Sequence, residues 1–255
     1  MIVSGFVTSP WDHDKILSGD AKLILQGVLD EVRKLHGSSP KDPRKVAAEI
    51  QEVWEPWFAK WLPKLESNSE PINPYRVFWD LQKTVDIDNT IITHDAGSPR
   101  DQVSPFWKST TPLSYLGWGK TTQLGYGLGL AMGAKLAKPD KLCVNVWGDA
   151  AIGFVGMDFE TAARERIPIL SILSNNFSMA IELKVMPVST EKYRSTDISG
   201  HYANFAKALG CYGERIEKVA DIVPAIKRGI KATEAGQPAL LEFITSKETE
   251  VSRIG

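Results

Sequence analysis

The chain has 255 residues, 43% of them apolar, with 30 basic against 31 acidic side chains and a formal net charge of -1. That size and apolar content suit one sizeable folded domain with a smaller attachment, and they exclude disorder as the main state. The balanced charge argues against nucleic acid as the main partner, and no run of 18 uncharged apolar residues is available to cross a bilayer.

The leading residues, MIVSGFVTSPWDHD, do not have the basic start and apolar core of a secretory signal. Two cysteines, Cys143 and Cys211, cannot staple a domain of this size, and Cys143 lies in the apolar run LCVNVW. A reducing, cytoplasmic setting is therefore expected.

In chain order, GDAKLILQGVLDEVRKL opens with an Asp cap signal and continues with helical periodicity over 19–35. The stretch GSSPKDP separates it from a second helix at about 44–66, on which Trp54, Trp57, Phe58 and Trp61 fall three or four apart. Such a stripe reads as packed core or as a partner-facing surface. The turn-rich SNSEPINP at 67–74 marks a boundary, giving a helical lead-in over 1–68 and a main domain over 69–255.

Beyond the boundary, a helix is predicted over 74–85 and a strand over Thr90–Thr93, followed by the loop HDAGSPRDQ. A long polar and aromatic connection then leads to a helix at about 123–136. The run KLCVNVW (141–147) reads as a buried strand ending at GDA, followed by a helix at roughly 156–165. Pro168 introduces the strand ILSILS, which ends at Asn175 and Asn176. Helices near 201–209 and 218–234 and the strand PALLEFIT (238–245) complete the order. Strands alternating with helices predict an α/β fold, a mainly parallel sheet covered by helices on both faces.

Two features carry chemistry. The densest glycine run, GWGKTTQLGYGLGLAMG from Gly117 to Gly133, lets backbone approach a ligand or a neighbouring element closely. It is a poor nicotinamide fingerprint, because it follows no apolar strand and reads better as the helix itself. The second feature lies at the strand ends. One strand delivers Gly148, Asp149 and Ala150 to its carboxyl end, and the next delivers Asn175 and Asn176. In an open parallel sheet ligands sit outside those ends. A carboxylate, an amide oxygen and a backbone carbonyl form a donor set suited to Mg²⁺, with phosphate oxygens completing the shell. The first N–H groups of the following helix can receive the phosphate. A lone Asp at such a place also serves as a turn or helix cap.

The segment GDAAIGFVGMDFETAARERIPILSILSNN, with 27 residues from Asp149 to Asn176, resembles the thiamine-diphosphate motif of GDG at one strand end and NN at the next. LGYGLGLAMGAKLAKPD before it, and NFAKALGCYGERIEKVADIVPAIKRGI with GQPALLEF after it, resemble the acetolactate synthase, 2-oxo acid decarboxylase and 2-hydroxyacyl-CoA lyase superfamily. The resemblance covers most of 72–245 and is most specific over 117–182. It implies thiamine diphosphate and Mg²⁺ as cofactors. Asp149 and Asn176 would hold the ion through their side chains and Ser178 through its carbonyl. Gly148, Ala150, Ala151 and Ile152 would line the diphosphate. Leu124 would prop the cofactor in its bent form, although it also fits plain helix core, and the Thr122 carbonyl would meet the aminopyrimidine amine. Ala150 stands where the motif has glycine, and it would be strained if that position needs positive φ.

Glu182, six residues after Asn176, resembles an acid/base glutamate and reads equally as a surface charge. Met179 and Met186 are substrate-side or core residues. His94 is a catalytic candidate at the end of its strand, with Asp95 and Arg100 beside it and an ordinary loop histidine as the alternative, while His201 reads as structural or exposed.

The resemblance further implies that this is the C-terminal part of the familiar arrangement, in which a pyrimidine-binding domain carries an activating glutamate. A second polypeptide would supply that domain, in a hetero-oligomer built on a dimer or tetramer, and a fragment of a longer chain is the other account. The expected substrate is a small carbonyl compound, a 2-oxo acid or 2-hydroxyacyl group. A non-catalytic cofactor-binding or regulatory subunit and, further off, a nicotinamide-linked oxidoreductase are the competing functions.

Overall fold

The structure, a computed structural model, describes residues 17, 19–37, 42–117 and 123–252. Residues 1–14, the linker positions 38–41 and Thr122 lie outside the described residues. Two compact units divide at Pro56 and Trp57.

The first unit contains α1 (Ala21–His36), whose Asp20 side chain accepts from the Lys22 and Leu23 N–H groups as the sequence signal predicts. Helix α2 (Pro43–Leu65) carries the aromatic stripe. Within the second unit Trp57 stacks on Phe106 at 5.0 Å, Phe58 meets Trp79 at 5.6 Å, and Trp61 meets Tyr75 at 5.2 Å. Trp61 is buried core, and Trp57 and Phe58 pack half-buried against the same cluster.

Helix α3 (Pro74–Thr84) begins with Asn73 capping the Tyr75 N–H and Pro74 in the first turn. Then follow β1 (Thr90–His94), α4 (Ser98–Val103), β2 (Tyr115–Leu116), α5 (Tyr126–Ala137) and β3 (Leu142–Gly148). The remainder is α6 (Asp149–Val155), α7 (Asp158–Arg164), β4 (Leu170–Asn175), α8 (Pro187–Tyr193), α9 (Tyr202–Ala208), β5 (Tyr212–Ile216), α10 (Ile222–Glu234) and β6 (Ala239–Ile244). The six strands form one sheet in the order β2-β1-β3-β4-β6-β5, and every pairing is parallel. This is the α/β fold expected from the alternation of strands and helices.

The core lies on both faces of the sheet. Along β3, Val144 and Val146 join the cluster under α3 and α10, while Cys143 and Trp147 join the cluster under α5, α6 and α7. That alternation is the two-residue period of a strand buried on both sides. Both cysteines are free and buried. No helix among the described residues is long and apolar enough to cross a membrane.

Five elements are additional to the sequence reading: α4, β2, α6, α8 and β5. They are short, and short elements carry too few residues to display a period. The helix expected at about 156–165 is α7. Helix α6 precedes it and starts directly at Asp149, because the strand end at Gly148 provides an extended cap residue and no loop intervenes.

Candidate functional site at the carboxyl ends of the strands

Strand β1 lies between β2 and β3, so the segments leaving the adjacent ends of β1 and β3 diverge and leave a crevice. A cleft of about 320 Å³ occupies this place. Its walls are the segment after β1 (Ala96 to Arg100, with Gln102), Leu124, the start of α6 (Gly148 to Ala151), and the segment after β4 (Ser174, Asn176 and Ser178 to Glu182).

Asp149 lines the cleft and is 3% exposed. Its Oδ1 accepts from the Ala150 N–H at 2.9 Å, and its Oδ2 accepts from the N–H groups of Asn176 at 3.2 Å and Ser178 at 3.1 Å. Burial pushes its carboxyl up to about 6, against the opposing pull of these N–H donors. The turn at 176–178 closes on itself, with the Asn176 side-chain oxygen accepting from the Ser178 N–H at 3.0 Å. Phe177 adopts φ 57, a left-handed conformation that a bulky residue rarely takes. The Ser178 carbonyl accepts from the Ala180 N–H at 2.8 Å, and its buried hydroxyl has no hydrogen-bond partner among the described residues.

This arrangement fits a hard divalent cation. Asp149, Asn176 and Ser178 line the same cleft, and the carboxylate, amide oxygen and carbonyl they offer are all oxygen donors. No salt-bridge partner accompanies the Asp149 carboxylate among the described residues. A bound cation would relieve the cost of burying that charge.

Ala150 is the second residue of α6 and is absent from the positive-φ positions, so alanine is unstrained where the motif has glycine. Ala151 and Ile152 are buried in the same first turn. On the cleft wall Met179 precedes the 3₁₀ turn Ala180–Glu182 and Glu182 ends it, both half-buried, whereas Met186 sits further on, at the start of α8.

Asp95 and His94 lie deeper. Asp95 is fully buried, and its carboxylate accepts from the N–H groups of Ala96 at 2.8 Å, Gly125 at 2.9 Å and Gly127 at 3.1 Å. It therefore fastens the end of β1 to the start of α5 and sets the backbone beside Leu124. Gly125 takes φ 97, which only glycine adopts freely. His94, 2% exposed, is not among the cleft-lining residues. Its Nδ1 faces the Asp95 carbonyl at 3.2 Å and the Tyr126 hydroxyl at 3.5 Å, with the Tyr115 ring 5.4 Å away. Arg100 lines the cleft and binds Asp101 with two nitrogens. His201 is exposed at the N-cap of α9 and meets Arg215.

The sequence reading missed two buried polar residues. Gln102 is 3% exposed and lines the cleft. Glu242 is fully buried in the middle of β6, and a lone acid inside the apolar run PALLEFIT was the signal that could have found it.

An open parallel sheet with a ligand-sized cleft at its carboxyl edge defines a doubly wound α/β protein. Residues 95–243 match the family described as "Thiamine pyrophosphate enzyme, C-terminal TPP binding domain", and the chain belongs to that family. It is 27% identical to a probable acetolactate synthase large subunit of Methanococcus aeolicus, over 94% of this chain and 41% of that protein. It is 30% identical to a probable acetolactate synthase of Mycobacterium bovis, over 72% of this chain and 33% of that one. With 2-hydroxyacyl-CoA lyase 2 of Caenorhabditis elegans it shares 26% identity, over 82% and 32%. The chain thus spans between about a third and two fifths of the length of these relatives. A solved structure, the thiamine diphosphate-dependent 4-hydroxybenzoylformate decarboxylase of Rhodococcus jostii RHA1, superimposes with a TM-score of 0.63 at 23% identity, covering 72% of this chain and 34% of that one. That likeness concerns the fold.

Proposed function

We propose that this chain is the diphosphate- and Mg²⁺-binding half of a thiamine-diphosphate-dependent enzyme. It would make or break a C–C bond beside the carbonyl of a 2-oxo acid or 2-hydroxyacyl substrate, as a decarboxylase, carboligase or lyase. The observation that carries this reading is the convergence of Asp149, Asn176 and Ser178 on one cleft at the carboxyl ends of β3 and β4. The names of the relatives, acetolactate synthase and 2-hydroxyacyl-CoA lyase, support the substrate class.

When bound, thiamine diphosphate supplies a carbanion and an electron sink for chemistry at a carbonyl carbon. The chain's own residues would do the following. Asp149, Asn176 and the Ser178 carbonyl hold the cation. Gly148, Ala150, Ala151 and Ile152 line the diphosphate. Leu124 buttresses the cofactor, and the Thr122 carbonyl receives the aminopyrimidine amine. Met179 shapes the wall, and the Glu182 carboxyl holds or takes up a proton at the cleft. His94 acts behind the wall, through Asp95 and Tyr126.

A pyrimidine-binding domain with its activating glutamate would come from a partner chain, in a cytoplasmic hetero-oligomer built on a dimer or tetramer. The unstrained Ala150 favours this reading over a non-catalytic subunit, because it removes the conformational objection to the motif.

Calorimetric titration tests the cofactor. Thiamine diphosphate is expected to bind only with Mg²⁺, and Asp149→Ala is expected to abolish binding. Binding of a nicotinamide cofactor instead, or Mg²⁺-independent binding, would overturn the proposal. Co-purification tests the partner, and full turnover by this chain alone would remove the need for one.

A further inference from the structure

The turn that carries Asn176 and Ser178 is gripped from two sides. Asp149 holds it from the cleft through the N–H groups of Asn176 and Ser178. Behind it lies a second buried carboxylate, Glu242 of β6, with 0% exposure.

Glu242 does not line the cleft and is nevertheless engaged through both carboxylate oxygens. Its Oε1 accepts from the Asn175 side-chain amide at 2.7 Å, and its Oε2 accepts from the Ala203 N–H at 2.9 Å. Asn175 spends its other side-chain atom on the turn, with its Oδ1 accepting from the Phe177 N–H at 3.1 Å. The Arg215 guanidinium stands 3.7 Å from Glu242 and lies over the Phe177 ring at 5.8 Å. A charged residue in the middle of an apolar parallel strand is costly, and it persists where its partners are fixed. Here those partners are the first residue of the Asn pair, the Ala203 N–H and the Arg215 cation. The left-handed Phe177 that the turn requires is held by its N–H on one side and its ring on the other.

We propose that Glu242 is a positioning residue for the cation half of the site. Through Asn175 it fixes the 175–178 turn and sets divalent-cation affinity without touching the ion. The inference rests on the Mg²⁺ reading of the cleft. Outer groups that orient ligands typically alter metal affinity by about 10- to 100-fold, and the expected effect here is at the lower end of that range.

The test is a titration of Mn²⁺, as the spectroscopically visible substitute for Mg²⁺, into the full chain with thiamine diphosphate present, followed by electron paramagnetic resonance. Glu242→Gln and Asn175→Ala are each expected to weaken Mn²⁺ binding about tenfold. The double variant is expected to be no weaker than Asn175→Ala alone, because Glu242 acts through Asn175. A purely structural role would give independent, multiplying effects, or lowered thermal stability with unchanged affinity, and either result overturns the proposal. If Glu242→Gln fails to fold, Arg215→Met at the partly exposed end of the same contacts takes its place. A several-fold loss supports the proposal, and unchanged affinity overturns it. Asp149→Asn separates the two levels. Wild-type binding that Asp149→Asn abolishes and the Glu242, Asn175 and Arg215 variants leave intact sinks this inference alone, whereas absence of binding in the wild type sinks the Mg²⁺ reading with it.

Discussion

The Ser178 N–H donates to Oδ2 of Asp149 at 3.1 Å, joining residues that lie 29 positions apart in the chain. This bond brings the ends of β3 and β4 to one place and leaves a buried carboxylate whose pKa has risen to about 6. A raised carboxyl pKa means that the folded chain binds a proton more tightly than the unfolded chain. The stability this group contributes is therefore present below about pH 4 and lost as pH rises through 6. Without Mg²⁺, the wild type is expected to lose about 2–3 kcal/mol more than Asp149→Asn between pH 4 and 7, measured by denaturant unfolding. Saturating Mg²⁺ with thiamine diphosphate should raise the wild-type melting temperature by roughly 5 °C at pH 7.5 and leave the variant unmoved.

His94 runs the opposite way. Burial holds its imidazole below the usual histidine range, and the nearby Arg100 cation adds to the effect. With a depressed folded pKa, the stability due to neutral His94 is complete above about pH 6.5 and falls as pH drops toward and through the folded value. The unfolding free energy of wild type should therefore fall more between pH 7.5 and 5.5 than that of His94→Gln. An equal fall in both would show that the imidazole is not held neutral.

Asp95 accepts three backbone N–H groups, those of Ala96, Gly125 and Gly127. Asp95→Ala strands these buried donors, each at a cost of about 1–3 kcal/mol. A loss of at least about 3 kcal/mol is expected in guanidinium unfolding, together with weaker thiamine diphosphate binding through the displaced start of α5. Full stability in this variant would show that water or a rearranged loop replaces the carboxylate.

The glycines of α5 divide into two kinds. A Cβ on Gly127 would lie 2.7 Å from Oδ1 of Asn145 and 3.1 Å from the His94 carbonyl group, so Gly127→Ala should cost about 1–3 kcal/mol. Among the described residues, Gly129 and Gly133 have nothing within 4 Å of the same position. Gly129→Ala and Gly133→Ala should each stabilise the chain by about 0.5–1 kcal/mol, since alanine restricts the unfolded state and favours helix. Thermal melts of the three variants check the contrast.

The sequence by itself determined the sheet's parallel character and the identity of the cleft's strand ends. Apolar runs of β3, β4 and β6 alternating with amphipathic helices permit little else, and Asp149 with Asn176 had to emerge where β3 and β4 stop. Local rules also fixed the cap at Asp20. Tertiary structure alone decided the rest. The helical backbone of Ala150 depends on α6 starting without a loop, and the burial of His94 depends on Tyr115, Gly117 and Tyr126 arriving from beyond β1. Asp95 became a clasp for α5, and Glu242 a support for Asn175, only when segments 30 and 67 residues away closed over them. Periodicity reports which face of an element is apolar. It carries no record of which distant donor a buried carboxylate will meet, because that is set by packing between elements.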